Sequence, residues 1–323
     1  MADKKAILHH YLLDGTGAGT EINSGQAAPA EDKTVWLHLN AGHADTKKIL
    51  KDELHLDPLI VKAMLKEETR PRLEEIGENA LIILRGIQFN PGPTPEDLVS
   101  IRLWVGKNRV VSVVSRRTKA LVDMPARIQQ QHGPRHAGEF IAMLCSQLHD
   151  GIEPAIVELE DTTDVLEEQS LDHPEQESIR TNLAVARKQA ILFRRHMAPQ
   201  RDVVSRLQNS RQAWMTDTDR WHMKDNLDRV TRYLEDLDSV RERSQIVQEE
   251  LAGALTVRLN RNIYRLSMIT VVFMPLSFLT GLLGSNVAGI PGADHPAAFA
   301  VVGFILFCVG ALELWLFRRL KWI

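Results

Sequence analysis

Asn260, Ile263, Ser267, Thr270, Met274, Ser277, Gly281 and Gly284 recur at steps of three and four, which places them on one stripe of a helix. The stripe carries hydroxyls and small residues, and Ser285 and Asn286 follow directly. Hydroxyl, amide and backbone carbonyl oxygens are hard donors. They suit a divalent cation that sheds water reluctantly and keeps much of its hydration shell. Ser and Thr hydroxyls in an apolar helix often bond back to their own backbone, so one alone would mean little. Several on one stripe ending at Asn286 favour a pore lining, with Gly284, Ser285 and Asn286 at its mouth. Asp294 and His295 follow within a few residues. They read either as a carboxylate and imidazole that attract zinc or as an ordinary polar loop.

The positioning elements are two apolar runs. No charged side chain occurs between Leu266 and Ala293 or between Ala297 and Leu312, and only Glu313 precedes Phe317 in the second run. About 20 uncharged apolar residues at 1.5 Å each cross a hydrocarbon core of roughly 30 Å. Spans are expected at about 265–286 and 297–317, joined by an external loop at 287–296. Arg258, Arg261 and Arg265 precede the first span, and Arg318, Arg319 and Lys321 follow the second. Positive residues stay inside, so both termini are expected in the cytoplasm, with Trp315 and Trp322 in the inner aromatic belt. Val271, Val272, Phe278, Leu279 and Leu282 suit lipid or the second helix. Gly303 and Gly310 share a face suited to close packing. Pro275 removes a backbone donor and frees the carbonyl of Val271.

The remainder reads as water-soluble. Charged residues make up 25% of the 323 residues, and the net charge of −3 gives no nucleic-acid signature. Cys145 and Cys308 are the only cysteines, which excludes a disulfide framework or a cysteine-based zinc site within one chain. The opening Met-Ala-Asp-Lys-Lys lacks an apolar signal region, so the first span is expected to direct insertion. Gly15 to Gly19 form a turn cluster without a following Lys or helix, and no nucleophile–base pair or ATP motif is present. An enzyme is not expected.

Residues 1–214 read as a cytoplasmic α/β and helical domain. Strands are expected at 34–40, 80–89, 99–105 and 109–115, the last two joined by Gly106-Lys107-Asn108, with helices near 45–54 and 58–68. Pro91 to Pro95 is a loop. Helices are expected at 139–169, at 175–197 ending before Pro199, and at 202–214. From about 217 nothing but Gly253 breaks the helical pattern before Pro275. Val230, Tyr233, Leu237, Val240, Ser244, Val247, Leu251 and Ala254 form a heptad seam. A stalk helix over 215–264 therefore runs without a loop into the transmembrane domain at 265–323. Before Ser244 the seam suits either its own domain or a second copy. Nearer the membrane self-association is expected, because two spans alone cannot enclose an aqueous path.

Residues Phe273 to Gly281, then Gly284-Ser285-Asn286, a short loop, a second span and a basic tail ending Lys321-Trp322-Ile323 resemble the CorA superfamily of divalent-cation transporters. The loop Asn286 to Gly292 and the segment Trp214 to Asp219 look like the ZntB zinc-transporter branch. The resemblance implies an α+β membrane protein of the bacterial cytoplasmic membrane. Its cytoplasmic domain would be an αβα sandwich forming a funnel, with the long helix as stalk. Five copies would assemble, with the first span lining a central pore and the second forming an outer ring. Asn286 would ring the mouth, and Ser285 departs from the usual apolar middle residue by adding a hydroxyl. The implied cargo is a divalent cation of zinc type, with no resident cofactor and no nucleic-acid partner. A magnesium, cobalt or nickel channel of the same architecture, and a membrane-tethered scaffold or sensor, are the competing readings.

Other metal-ligand candidates are sparse. His132 and His136 flank Gly133-Pro134, which favours solvation over ligation. Asp217, Asp219, His222 and Asp225 suit helix capping better than a regulatory cation. Glu249 and Glu250 suit either the funnel or an exposed face.

Overall fold

The computed structural model describes residues 5–22, 33–67, 69–88, 98–173, 176–285 and 295–320. Its chain forms two compact units, Met1–Gln248 and Glu249–Ile323. The expected loop at Pro91 to Pro95, and Asn286, Asp294 and Lys321 to Ile323, lie outside the described residues.

The first unit is built on strands β1 (Ile7–Leu13), β2 (Gly19–Glu21), β3 (Thr34–Asn40), β4 (Arg72–Ile76), β5 (Asn79–Ile87), β6 (Leu98–Gly106) and β7 (Arg109–Val114). They form one sheet in the order β2-β1-β3-β7-β6-β5-β4. Among the described residues only β3 and β7 pair in parallel, with Trp36 opposite Val110. The expected hairpin is β6–β7, with Gly106 opposite Arg109 across the Lys107-Asn108 turn. Alternation along these strands gives each face its own core. Trp36, Ile82, Leu84, Ile101 and Leu103 pack against Phe140, Ile141, Leu144, Val203 and Leu207. Leu37, Leu39, Leu81, Trp104 and Val113 pack against Ile49, Leu50, Ile60, Val61 and Met64. The second set of partners lies on α1 (Ala44–Lys48), a π-helical turn (Ile49–Glu53) and α2 (Pro58–Leu65). The first set lies on long helices beyond α3 (Lys119–Val122) and α4 (Met124–Gln129). The sheet between helical layers is the sandwich that the sequence led us to expect.

Three strands lie outside the expected set. β4 reads Arg-Leu-Glu-Glu-Ile and buries only Leu73. An edge strand that faces solvent carries charge and so loses its apolar alternation. β1 holds His9 and His10. It turns into β2 through the glycine cluster, where Gly15 and Gly17 take φ of 86° and 102°, backbone that favours glycine.

The helices α5 (Ala137–Asp172), α6 (Glu177–Gln208) and α7 (Asp217–Leu283) require two corrections. Pro199 lies inside α6, so the expected break there and the separate helix at 202–214 are wrong. Phe193 and Met197 before the proline, and Val203, Val204 and Leu207 after it, are all buried on one stripe. Packing on both sides outweighs the lost hydrogen bond. Residues 209–214 leave the helix, and Trp214 and Met215 enter the core. The second concerns the seam, whose partner the spacing leaves open before Ser244 and which is expected to meet another copy beyond it. Val230, Tyr233, Leu237 and Val240 share a core with Ile152, Ile156 and Leu159 of α5 and Ala190, Phe193 and Met197 of α6. Ser244, Val247 and Leu251 are buried as well, whereas Ala254 is exposed. The seam is covered by its own chain as far as Leu251. Arg229 reinforces it, donating to Asp150 at 2.7 Å and Glu153 at 2.9 Å.

His149 of α5 is fully buried, with Nδ1 3.0 Å from Asn226 Oδ1 and Nε2 without a partner. That geometry makes Nδ1 the donor and the ring neutral. Burial pushes its pKa down to about 4. The unfolded chain takes up this proton near pH 6.5 and the folded chain refuses it until about pH 4. Stability is therefore full above pH 6.5 and falls as pH drops through that window, by on the order of 3 kcal/mol. Unfolding in mild detergent at a series of pH values reads this slope. His149→Gln is expected to flatten it, and an equal slope in the variant would locate the acid sensitivity elsewhere.

Candidate ion pathway

The second unit contains the membrane-crossing part of α7 and helix α8 (Ala298–Arg319). Both are long and apolar enough to cross a membrane by length and composition. Pro275 sits inside α7 without ending it.

Burial sorts the faces of α7. Asn260, Ile263, Ser267, Thr270, Met274, Ser277, Gly281 and Gly284 are all exposed. The half-buried residues of the span are Met268, Val272, Pro275, Leu276, Leu279, Leu283 and Ser285. The first six, with Pro275 and Leu276 adjacent and the others at steps of three and four, lie about 180° around the helix from the polar stripe at 100° per residue. On α8, Val302, Leu306, Val309, Gly310, Glu313 and Phe317 form the corresponding covered stripe. A Cβ on Gly310 would stand 4.0 Å from Leu276 Cδ1, which fixes where the two helices meet. The polar stripe thus points away from α8. Of the residues expected to face lipid or the second helix, Val272 and Leu279 lie on the α8 side, whereas Val271, Phe278 and Leu282 are exposed on the flank.

The hydroxyls are partly engaged. Thr270 Oγ1 donates to the carbonyl of Leu266 at 3.0 Å, and Ser285 Oγ to that of Leu282 at 2.8 Å. Their protons are spent on the helix, and their lone pairs remain for water or a cation. Gly284 makes the last turn, with its N–H donating to Thr280 O at 2.8 Å. A Cβ there would stand 2.8 Å from that same oxygen, so only glycine fits without a shift. His295 accepts at Nδ1 from the Ala297 N–H at 3.2 Å, which makes it a cap before α8. In that state its other ring nitrogen carries the proton, and ligation there would require giving up the cap. Asn286 and Asp294 fall outside the described residues.

Glu313 escaped the reading of sites. Its Oε2 is buried and has no hydrogen-bond partner among the described residues. The signal was a lone carboxylate in an uncharged run, which is costly in a membrane and therefore worth attention.

Elsewhere the candidates resolve into local structure. His136 caps α5, accepting from Glu139 N–H at 3.4 Å. Asp219 accepts from the N–H and hydroxyl of Thr216, both at 2.8 Å, and caps α7. Asp217 pairs with Arg220 at 2.7 Å. Glu249 and Glu250 are exposed. Among the described residues no group of three or more His, Cys, Asp or Glu side chains is placed to hold a metal ion.

Comparison with known proteins gives a consistent picture. The CorA-like Mg2+ transporter protein family matches residues 31–319. The divalent cation transporter CmaX of Pseudomonas aeruginosa is 36% identical, covering 99% of this chain and 98% of its own. The zinc transport protein ZntB of Klebsiella pneumoniae is 37% identical, covering 97% and 95%. In three dimensions the full-length CmaX structure superposes with a TM-score of 0.84 at 34% identity over 99% of each chain. The CorA magnesium transporter of Methanocaldococcus jannaschii, at 19% identity and a TM-score of 0.81 over 98% of this chain and 99% of its own, shares the fold. Sheet-and-helix domain, long helix and the two apolar helices all fall within these matches, and the chain belongs to the CorA-like Mg2+ transporter family, as a membrane-spanning divalent-cation transporter of the ZntB-like branch.

Proposed function

We propose that the protein carries zinc across the membrane through a central pore formed by five copies. In this reading the polar stripe of α7 lines the pore, α8 forms an outer ring, and both termini are cytoplasmic. The observation that carries it is azimuthal: the polar stripe is exposed and lies opposite the face covered by α8. Polar groups turned away from a helix's only partner span must meet lipid, at a cost, or other copies around water. The seam supports the same division of labour. Its buried part belongs to the subunit, so assembly rests on the helix beyond Leu251 and on the span. Zinc is favoured over magnesium by the similarity to ZntB proteins, and Asp294 with His295 would add a ring of charge outside the mouth.

Native mass spectrometry of the 36.5 kDa chain in mild detergent tests the assembly. Five copies are expected. A monodisperse dimer would sink the pore, since two such helices cannot surround a hydrated ion.

Met274 lies on the stripe one residue before Pro275 and is 66% exposed in the single chain. Five such side chains would close the path by excluding water. Met274→Ser is expected to raise basal divalent-ion flux by roughly an order of magnitude, as a hydrophobic gate is wetted. Wild-type flux and selectivity at equal protein would take Met274 out of the path.

A further inference from the structure

Arg258, Arg261 and Arg265 are exposed and recur at steps of three and four on α7. At 100° per residue Arg261 and Arg265 fall within about 30°, and Arg258 within about 50°, of the centre of the face that α8 covers, roughly opposite the polar stripe. Gly310 beside Leu276 sets the relative height of the two helices. Counting toward the arginine-bearing ends at 1.5 Å per residue, Arg265 stands about 16 Å from that level and Arg319 about 14 Å. Both distances match half of a hydrocarbon core of roughly 30 Å. Arg265, Arg318 and Arg319 therefore share the level of the lipid headgroups, on the side of the helix pair away from the polar stripe, with Arg261 and Arg258 just below.

Along the two spans themselves acidic side chains are scarce. Between Glu250 and Glu313 the only carboxylate in the sequence is Asp294, which belongs to the loop at the opposite end. Glu313 lies about 9 Å deeper than Arg319 at 1.5 Å per residue. The Arg319 guanidinium instead stands 5.3 Å over the ring of Trp315, which is 55% exposed. A tryptophan at the interface with a cation on its face leaves the guanidinium edge free for an anion. Guanidinium forks match phosphate oxygens in pairs, and each basic residue near an anionic surface adds to binding.

We infer that Arg258, Arg261, Arg265, Arg318 and Arg319, with Trp315 as anchor, bind the phosphate of an anionic phospholipid on the outer side of the helix pair. The site needs only membrane insertion and does not depend on pore or cargo. It also removes these positive charges from the face along which a cation would move.

The test uses the full chain in mild detergent, titrated with phosphatidylglycerol or with phosphatidylcholine of the same acyl chains and read by native mass spectrometry. The wild type is expected to retain phosphatidylglycerol in preference to phosphatidylcholine. The triple variant Arg261→Gln, Arg265→Gln, Arg319→Gln is expected to lose that preference by roughly tenfold or more. The single variants, each expected to lose severalfold, give the same reading if the triple variant does not fold. Equal retention of the two lipids by the wild type, or an undiminished preference in the variants, would overturn the site. Full displacement of the lipid by excess inorganic phosphate would overturn the lipid assignment and leave a site for free phosphate.

Discussion

Asn286→Ala is expected to reduce zinc flux to near the level of protein-free vesicles, a loss of at least about tenfold for each 1.4 kcal/mol of binding removed. Asn286 follows the last turn of α7, where Gly284 admits no side chain and Ser285 is held by Leu282. The amide is the only neutral side chain of that segment with both a carbonyl oxygen and N–H donors, so it can hold a cation directly or through its water. Five copies would form a polar collar. The change is expected to leave assembly and thermal stability intact, because it removes a polar amide next to an exposed glycine turn and no apolar side chain is truncated. Zinc flux in proteoliposomes and native mass on the same preparation check both halves. Near-normal flux would remove Asn286 from the pathway.

Leu237→Ala is expected to act on the opposite property, lowering stability by about 2–5 kcal/mol while leaving the number of copies unchanged. Leu237 is 0% exposed and sits among Ile156, Phe193 and Val240 in the core shared by α5, α6 and α7. A coiled-coil reading of the same heptad would make it a contact between copies, and its truncation would then weaken assembly first. Chemical unfolding together with native mass separates the two. Dissociation at unchanged stability of the chain would contradict the intrachain core.

The contrast shows what kind of information the residues carried. The two spans, the long helix into the first of them, β3 and the β6–β7 hairpin were legible because each depends on a local pattern: an uncharged run, unbroken periodicity, or β-branched alternation around a turn. The identity of the seam's partner was not legible. Steps of three and four mark an apolar stripe, and the stripe fits helices of the same chain as well as those of a second copy. Pro199 misled for a related reason, since its local penalty is smaller than the burial of Phe193, Met197, Val203 and Leu207 around it. β4 was hidden by the charges that suit an edge. At the candidate site the polar stripe could be drawn from spacing alone. Its relation to α8 required the contact at Gly310 and Leu276, because no sequence pattern says which face a neighbouring helix will take. Gly303 and Gly310 were marked together for close packing; the helices meet at Gly310, whereas Gly303 is exposed and a Cβ there would meet nothing within 4 Å, so that half of the expectation is wrong.

The outward placement of the arginines and the inward placement proposed for the hydroxyls have one common consequence. The same helix would present phosphate ligands to lipid and cation ligands to water, on opposite faces. The arginines continue, beyond the span, the face that α8 covers, and the hydroxyls take the opposite face, so transport is separable from lipid binding by substitution and the variants above act on one or the other.

The most direct measurement is metal flux into liposomes containing the purified full chain, compared for zinc, magnesium and cadmium at clamped membrane potential, with and without an imposed pH gradient. The account predicts saturable zinc flux well above that of protein-free vesicles and above that of magnesium, abolished by Asn286→Ala, with the gradient arm deciding whether protons drive it. No flux of any of the three metals above the protein-free level, from a preparation that is folded and inserted, would contradict it.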